Sequence, residues 1–363
     1  MNKVNSKYII QIIFNHINLK KKLEILKYNK NLQKKIEIKF DDYKKYKEIE
    51  IMVKVKANSE SFSYFYTMFE KYPNQITISY KRNFWFKITL HNNFSNDLTS
   101  LFDSFHSLLK VKFIKFNRKD IKSMHYMFYN CYNLESIIFK QFNTENVKTM
   151  SSMFGYCTSL KKLNLMNFKT DNVYNMKCMF GSCLRLYSIK FSFNTKKVDD
   201  MSYMFFKCKS LKSINVKNFD TSNVTNMQAM FCECISLRSI NLLKWNTKKL
   251  QRMDEMFEDC TLIRNINLVN FNIENVFDMR SLFNSCLNLQ NIVLPISKTN
   301  EKLNVSLMFA YCMSLVNIKN LNKFEIQKSS SKKFMFYYAQ KNKAIKKYMD
   351  NNLIFNYFDN NTI

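Results

Sequence analysis

From Leu98 to about Asn320 a single pattern returns, and it leaves the chain few ways to fold. The pattern is Met-x-x-Met-Phe-x-x-Cys-x-x-Leu-x-x-Leu-x-Leu-x-x-Phe. Its core appears as Met127, Phe128 and Cys131, and again as Met153, Phe154 and Cys157, as Met179, Phe180 and Cys183, and as Met204, Phe205 and Cys208. Four more copies centre on Cys234, Cys260, Cys286 and Cys312, and Leu101, Phe102 and Phe105 form a degenerate first copy with Phe in place of Cys. The Cys positions are 26 residues apart, except for Cys183 and Cys208, which are 25 apart. A fixed period in this range builds a solenoid, in which each unit packs on its neighbours and none folds alone.

Two periods can be read inside each unit. Val147, Met150, Met153, Phe154 and Cys157 step by three and four, the apolar stripe of a short helix. Asn146, or Asp171 and Asn172 one unit later, are suited to cap it. Leu160, Leu163 and Leu165 then step as a strand would, and Phe168 closes the unit. The expected fold is an α/β leucine-rich-repeat solenoid of about nine coils, with stacked parallel strands on one face, short helices on the other, and terminal caps. At the strand spacing this gives a rod roughly 40 Å long.

Outside the array the periodicity changes. Residues 1–47 carry apolar residues at helical spacing, among them Ile9, Ile12, Ile13, Leu23 and Leu26. The apolar run after Lys3 and Lys7 is broken by Gln11 and lacks a small-residue cleavage site, so no signal peptide is expected. Residues 48–97 alternate as strands at Ile49–Val55, Ile76–Tyr80 and Phe84–Leu90, with a helix-like stretch at Tyr64–Phe69, and suggest a divergent cap or first coils. Residues 98–320 are the solenoid and 321–363 a C-terminal cap with a helix within Phe334–Tyr348. No stretch approaches the ~20 apolar residues of a membrane span, which favours the cytoplasm.

Two glycines, Gly155 and Gly181, cannot build a glycine-rich phosphate loop or dinucleotide fingerprint. Tight turns are expected to rest on Asn, Asp, Ser and Thr instead. Eight of the ten cysteines share one repeat position among apolar neighbours, which describes a ladder of reduced, buried thiols. Cys178 and Cys232 lie off that register and have no ligand partners at metal-binding spacing. The net charge of +29 comes from Lys spread over the whole chain with little Arg, so it is attributed to compositional bias, and a nucleic-acid partner is not expected.

The units resemble BspA-like leucine-rich repeats. Phe219-Asp220-Thr221-Ser222-Asn223-Val224 through Met227, Met230 and Phe231, followed by Cys234 and Leu237, carry the likeness over residues 98–320. That resemblance implies a repeat fold used for binding, in some members at the cell surface as an adhesin. The N-terminal apolar positions also resemble an F-box-like hairpin, which would imply a substrate adaptor for ubiquitin ligation.

The histidines His16, His91, His106 and His125 fall in no metal or triad spacing, and no enzyme, cofactor or metal is expected. Binding to a protein partner through the solenoid surface is the expected function. In the Leu-x-x-Leu-x-Leu strand the alternate positions face outward, and two columns result. One contains Asn164, Lys190, Asn215, Asn241, Asn267 and Lys319, and its neighbour contains Lys162 and Asn291; these are the expected partner-binding residues.

Overall fold

The computed structural model describes residues 48–351 apart from 58, 117, 141, 328–329 and 340–342. The helices expected over residues 1–47, and with them the F-box-like hairpin, lie outside the described residues.

The repeats form a β-solenoid. Parallel strands appear at β4 (Leu108–Phe116), β5 (Ser136–Phe139), β6 (Lys162–Leu165), β7 (Ser188–Phe191), β8 (Asn265–Asn267), β9 (Asn291–Val293) and β10 (Asn317–Lys319). Their register keeps equivalent residues side by side, with Asn164 opposite Lys190 and Asn265 opposite Asn291. A second line of parallel bridges runs along another side of each coil, from Asp97 through Ser123, Thr149, Asn175 and Asp200 to Asn304 and Ser331. The repeat therefore continues beyond Asn320 for one more rung, in which Met335, Phe336 and Ala339 occupy the Met, Phe and Cys positions and are buried.

The segment expected as a short helix is instead a run of tight turns. In one coil the amides of Met150, Ser152, Phe154 and Tyr156 donate to the carbonyls of Asn175, Lys177, Met179 and Gly181 in the next, at 2.7 to 3.1 Å. Between them Met153, Gly155 and Cys157 donate to the carbonyls three residues back. Local and inter-coil bonds thus alternate, and each backbone group along the run finds a partner, as burial requires. Ser152 and Tyr156 take left-handed φ angles of 53° and 59°, and the same pair of positions repeats through Ser281 and Ser285 to Phe334 and Tyr338. A left-handed residue every fourth position reverses the chain before a helix can propagate, while the apolar spacing of three and four survives because both conformations bury those positions.

The interior is a set of ladders. The Phe rings from Phe102 to Phe336 stack in sequence, ten rings with centroids 5.2 to 5.8 Å apart and nearly parallel planes. Beside them each ladder thiol donates to the carbonyl of the Phe one coil back, Cys234 to Phe205 at 3.1 Å for example. Buried Thr144, Thr170, Thr195, Thr221 and Thr247 donate their hydroxyls to carbonyls of the following coil at 2.8 to 3.0 Å. Such ladders fix the register, since a shift of one residue would bury these donors without acceptors.

Both ends of the Phe stack are covered. At the N-terminal end β1 (Ile49–Val55) pairs antiparallel with β4 and with β3 (Trp85–Leu90), and β2 (Ile76–Tyr80) forms the edge. These strands are antiparallel, so they are a cap joined to the first coil rather than coils of the array. Helix α1 (Ser59–Glu70) lays Phe69 edge-on against Phe102. At the other end α2 (Lys343–Asn351) sets Tyr348 edge-on against Phe336.

Candidate functional site

The strand side of the solenoid is built by the alternation in Leu-x-x-Leu-x-Leu. Leu163 and Leu165 point inward and are buried, so Lys162 and Asn164 between them are exposed. Lys190, Asn215, Asn241, Asn267 and Lys319 are exposed by the same logic, and Asn291 is half-buried. The columns expected from sequence therefore stand on one side of the molecule in the expected register.

Much of their polarity is committed locally. Asn164, Asn215, Asn241 and Asn267 each accept, through Oδ1, the amide two residues on, at 3.0 to 3.3 Å, and so form the turn that ends the strand. Asn291 donates to Asn265 and accepts from Asn317, both at 2.7 Å, in an amide ladder. The Lys162 ammonium lies 5.5 Å from the Tyr187 ring centroid, within cation–π range. Lys190 and Lys319 are exposed without such a role.

A column missed from sequence lies immediately before the strands, where Lys161, Tyr187, Lys212, Arg238 and Arg264 follow one another on successive rungs. The Arg238 amide donates to the Lys212 carbonyl and the Gln290 amide to the Arg264 carbonyl, which holds this column in step. All five residues are exposed. Arg238, Leu262, Arg264 and Asn288 line a shallow cavity of about 420 Å³. The signal was present, but alternation counted from the first Leu of the strand overlooks the residue that precedes the alternating pair.

Charge is divided between the two sides. In the strand segments from Leu134 to Leu294 there are nine cations, Lys140, Lys161, Lys162, Lys190, Lys212, Lys217, Arg238, Lys244 and Arg264, and one carboxylate, Glu135. None of the nine forms an ion pair among the described residues, and Glu135 faces Lys110. On the turn side part of the cations are paired, as Lys207 and Lys209 hold Glu233 at 3.0 and 3.1 Å and Arg252 and Arg280 hold the buried carboxylate of Asp254, whereas Lys122, Lys148 and Lys177 make no ion pair among the described residues. Burial raises the pKa of Glu255, Glu258, Asp259 and Asp278 there, assisted by neighbouring carboxylates.

The described histidines are separate. His91 contacts Glu48 and Thr77, His106 contacts Asn130, and His125 meets the Ser151 carbonyl. Among the described residues no group of three or more His, Cys, Asp or Glu side chains is placed to hold a metal, and no helix is long and apolar enough to cross a membrane.

A family model described as "Mycoplasma protein of unknown function, DUF285" matches residues 96–213, 188–294 and 262–356. The chain belongs to the DUF285 family. The matches begin beside the first rung at Asp97 and run past the last at Ser331. DUF285 is here a repeat family with a solenoid fold, which is a coarser statement than the BspA-like resemblance. No curated protein and no solved structure matches the chain.

Proposed function

We propose that this DUF285 protein is a non-enzymatic scaffold that binds a protein partner through the strand side of its solenoid. The observation that carries this is the set of nine cations on that side with no ion pair among the described residues. Stacked coils supply an extended surface suited to such binding. The column residues Lys190 and Lys319, with Lys161, Lys212, Arg238 and Arg264, are the contact candidates. The resemblance to BspA-like repeats adds cell-surface adhesion as a second setting for the same surface.

The test is affinity capture from a matched lysate by the full chain, by the chain lacking residues 1–45, and by a full-length variant with Lys190→Glu and Lys212→Glu. Partners retained by the first two and lost by the third place recognition on the strand side. Partners lost only on deletion of residues 1–45, ligase subunits above all, would sink this function in favour of the adaptor.

A further inference from the structure

The strand side is not uniformly polar. Ile138, Met166, Tyr187, Leu243 and Leu262 are 40 to 50% exposed and stand among the cations. At Arg238 and Arg264 the two features meet, because both arginines line one cavity with Leu262 and Asn288.

From this juxtaposition we infer that the cavity is an anchor site for an acidic, amphipathic polypeptide segment of the partner, with a carboxylate taken by the two arginines and an adjacent apolar side chain set on Leu262. This deepens the proposed function and rests on it. Arg is suited to the role because its planar fork meets a carboxylate through two parallel hydrogen bonds, and Asn288 offers an amide at the rim. Successive rungs about 4.8 Å apart continue the cationic column through Lys212 toward Lys161, with Tyr187 between.

The interleaved apolar residues decide the class of partner. A sulfated polysaccharide or a phosphate backbone would use the cations and leave Leu262, Leu243 and Met166 against water. Single-stranded nucleic acid is bound by aromatic platforms along which successive bases stack. Of the five apolar side chains among these cations Tyr187 alone is aromatic, and Lys162 already lies over its ring. A polypeptide that alternates carboxylates with apolar side chains satisfies both kinds of position.

The probe is a fluorescein-labelled synthetic peptide of about twelve residues alternating Asp and Leu, some 40 Å when extended. Its binding to the full chain is followed by fluorescence anisotropy at about 0.15 M salt. Poly-glutamate of the same length, heparin and a thymidine oligonucleotide serve as competitors. Arg238→Glu is expected to weaken peptide binding about tenfold or more, as reversal of a buried or half-buried interface charge does. Leu262→Ser is expected to weaken it several-fold. Lys196→Glu with Lys248→Glu, the same kind of charge change on loops away from the strands, should leave it within about twofold.

Equal weakening by the loop variant would reduce the effect to net charge and overturn the site. So would no measurable binding of the peptide, or heparin or the oligonucleotide binding more tightly with no response to Leu262→Ser. If the lysate partners are retained by Arg238→Glu yet lost with Lys190→Glu and Lys212→Glu, the scaffold function stands and the anchor site falls.

Discussion

At the residue scale the informative side chains are those whose chemistry changes on burial. The ladder cysteines were expected as small hydrophobes, and they are buried, but each also spends its S–H on a Phe carbonyl of the preceding coil. Burial raises their pKa, to about 12 at Cys234 and Cys312, so the thiolate that reacts with disulfides is scarce. Cys178 is the least buried of the ten. In the native protein an aromatic disulfide reagent should therefore titrate Cys178 first and leave the ladder untouched, with all ten reacting after denaturation. Fast reaction of several thiols in the native state would contradict the ladder. On the turn side Glu258 behaves in the opposite sense to Glu233, whose pKa is lowered with Lys207 and Lys209 beside it. Glu258 is raised by burial first, while the Asn284 amide hydrogen bond opposes the shift, so the fold favours its neutral form. No penalty exists below the unfolded pKa near ~4, and it grows as pH rises through the window up to the raised folded value. Glu258→Gln should accordingly raise the urea midpoint at about pH 7 and lose that advantage near about pH 4.5. A less stable variant at neutral pH would mean that the charged hydrogen bond from Asn284 outweighs burial.

At the element scale sequence and structure part at a definite point. The 26-residue period and the Leu-x-x-Leu-x-Leu alternation made the solenoid and its outward columns legible, because a strand's faces follow directly from parity. The run from Val147 to Cys157 was not legible, since steps of three and four describe a helix and a chain of turns equally well. What separates them is φ at Ser152 and Tyr156, and the usual sequence marker for positive φ is glycine. Neither glycine is used that way. Gly155 makes room for the Tyr129 ring, 3.0 Å from where a Cβ would stand, and Gly181 for the Cys178 sulfur. The left-handed positions carry Ser, Tyr, Glu, Lys and Leu instead, at a conformational cost of about 1 kcal/mol each, offset by inter-coil hydrogen bonds and stacked Phe rings. One position isolates the term: Ser281 has φ 55° and donates its amide to the Ser306 carbonyl. Ser281→Gly should keep that bond and gain up to about 1 kcal/mol, whereas β-branched Ser281→Val should lose about 1 to 3 kcal/mol. Chemical denaturation of the two variants beside the parent checks the order. Equal destabilisation by both would show that side-chain contacts at this position matter more than its backbone conformation.

At the scale of the whole molecule the register that builds the binding side also stores repulsion. Parallel stacking places Lys212, Arg238 and Arg264 one rung apart, roughly 5 Å between backbones, with no carboxylate interposed. Like charges at this spacing destabilise the stack, and salt screens them with a Debye length of about 10 Å at 0.1 M. The turn side pulls the other way only weakly, because its Lys–Glu pairs are exposed and contribute little, and its Arg–Asp254 pairs, whose carboxylate is buried, are screened much less by salt. The unpaired cations should dominate, so thermal unfolding is expected to shift upward between about 10 mM and about 300 mM sodium chloride. A downward shift would mean that the turn-side pairs carry more stability than the strand-side cations cost. Arg238→Glu sharpens the argument, since it converts a run of three positive rungs into an alternating one. It should raise the unfolding temperature at low salt, and raise it less at high salt, while weakening the acidic peptide in the same preparation. Stability and binding would then move in opposite directions from one substitution, as expected where a surface is kept destabilised for a partner that neutralises it. If Arg238→Glu lowers both together, the loss of binding reflects a damaged fold, and the cations on this side are compositional bias after all.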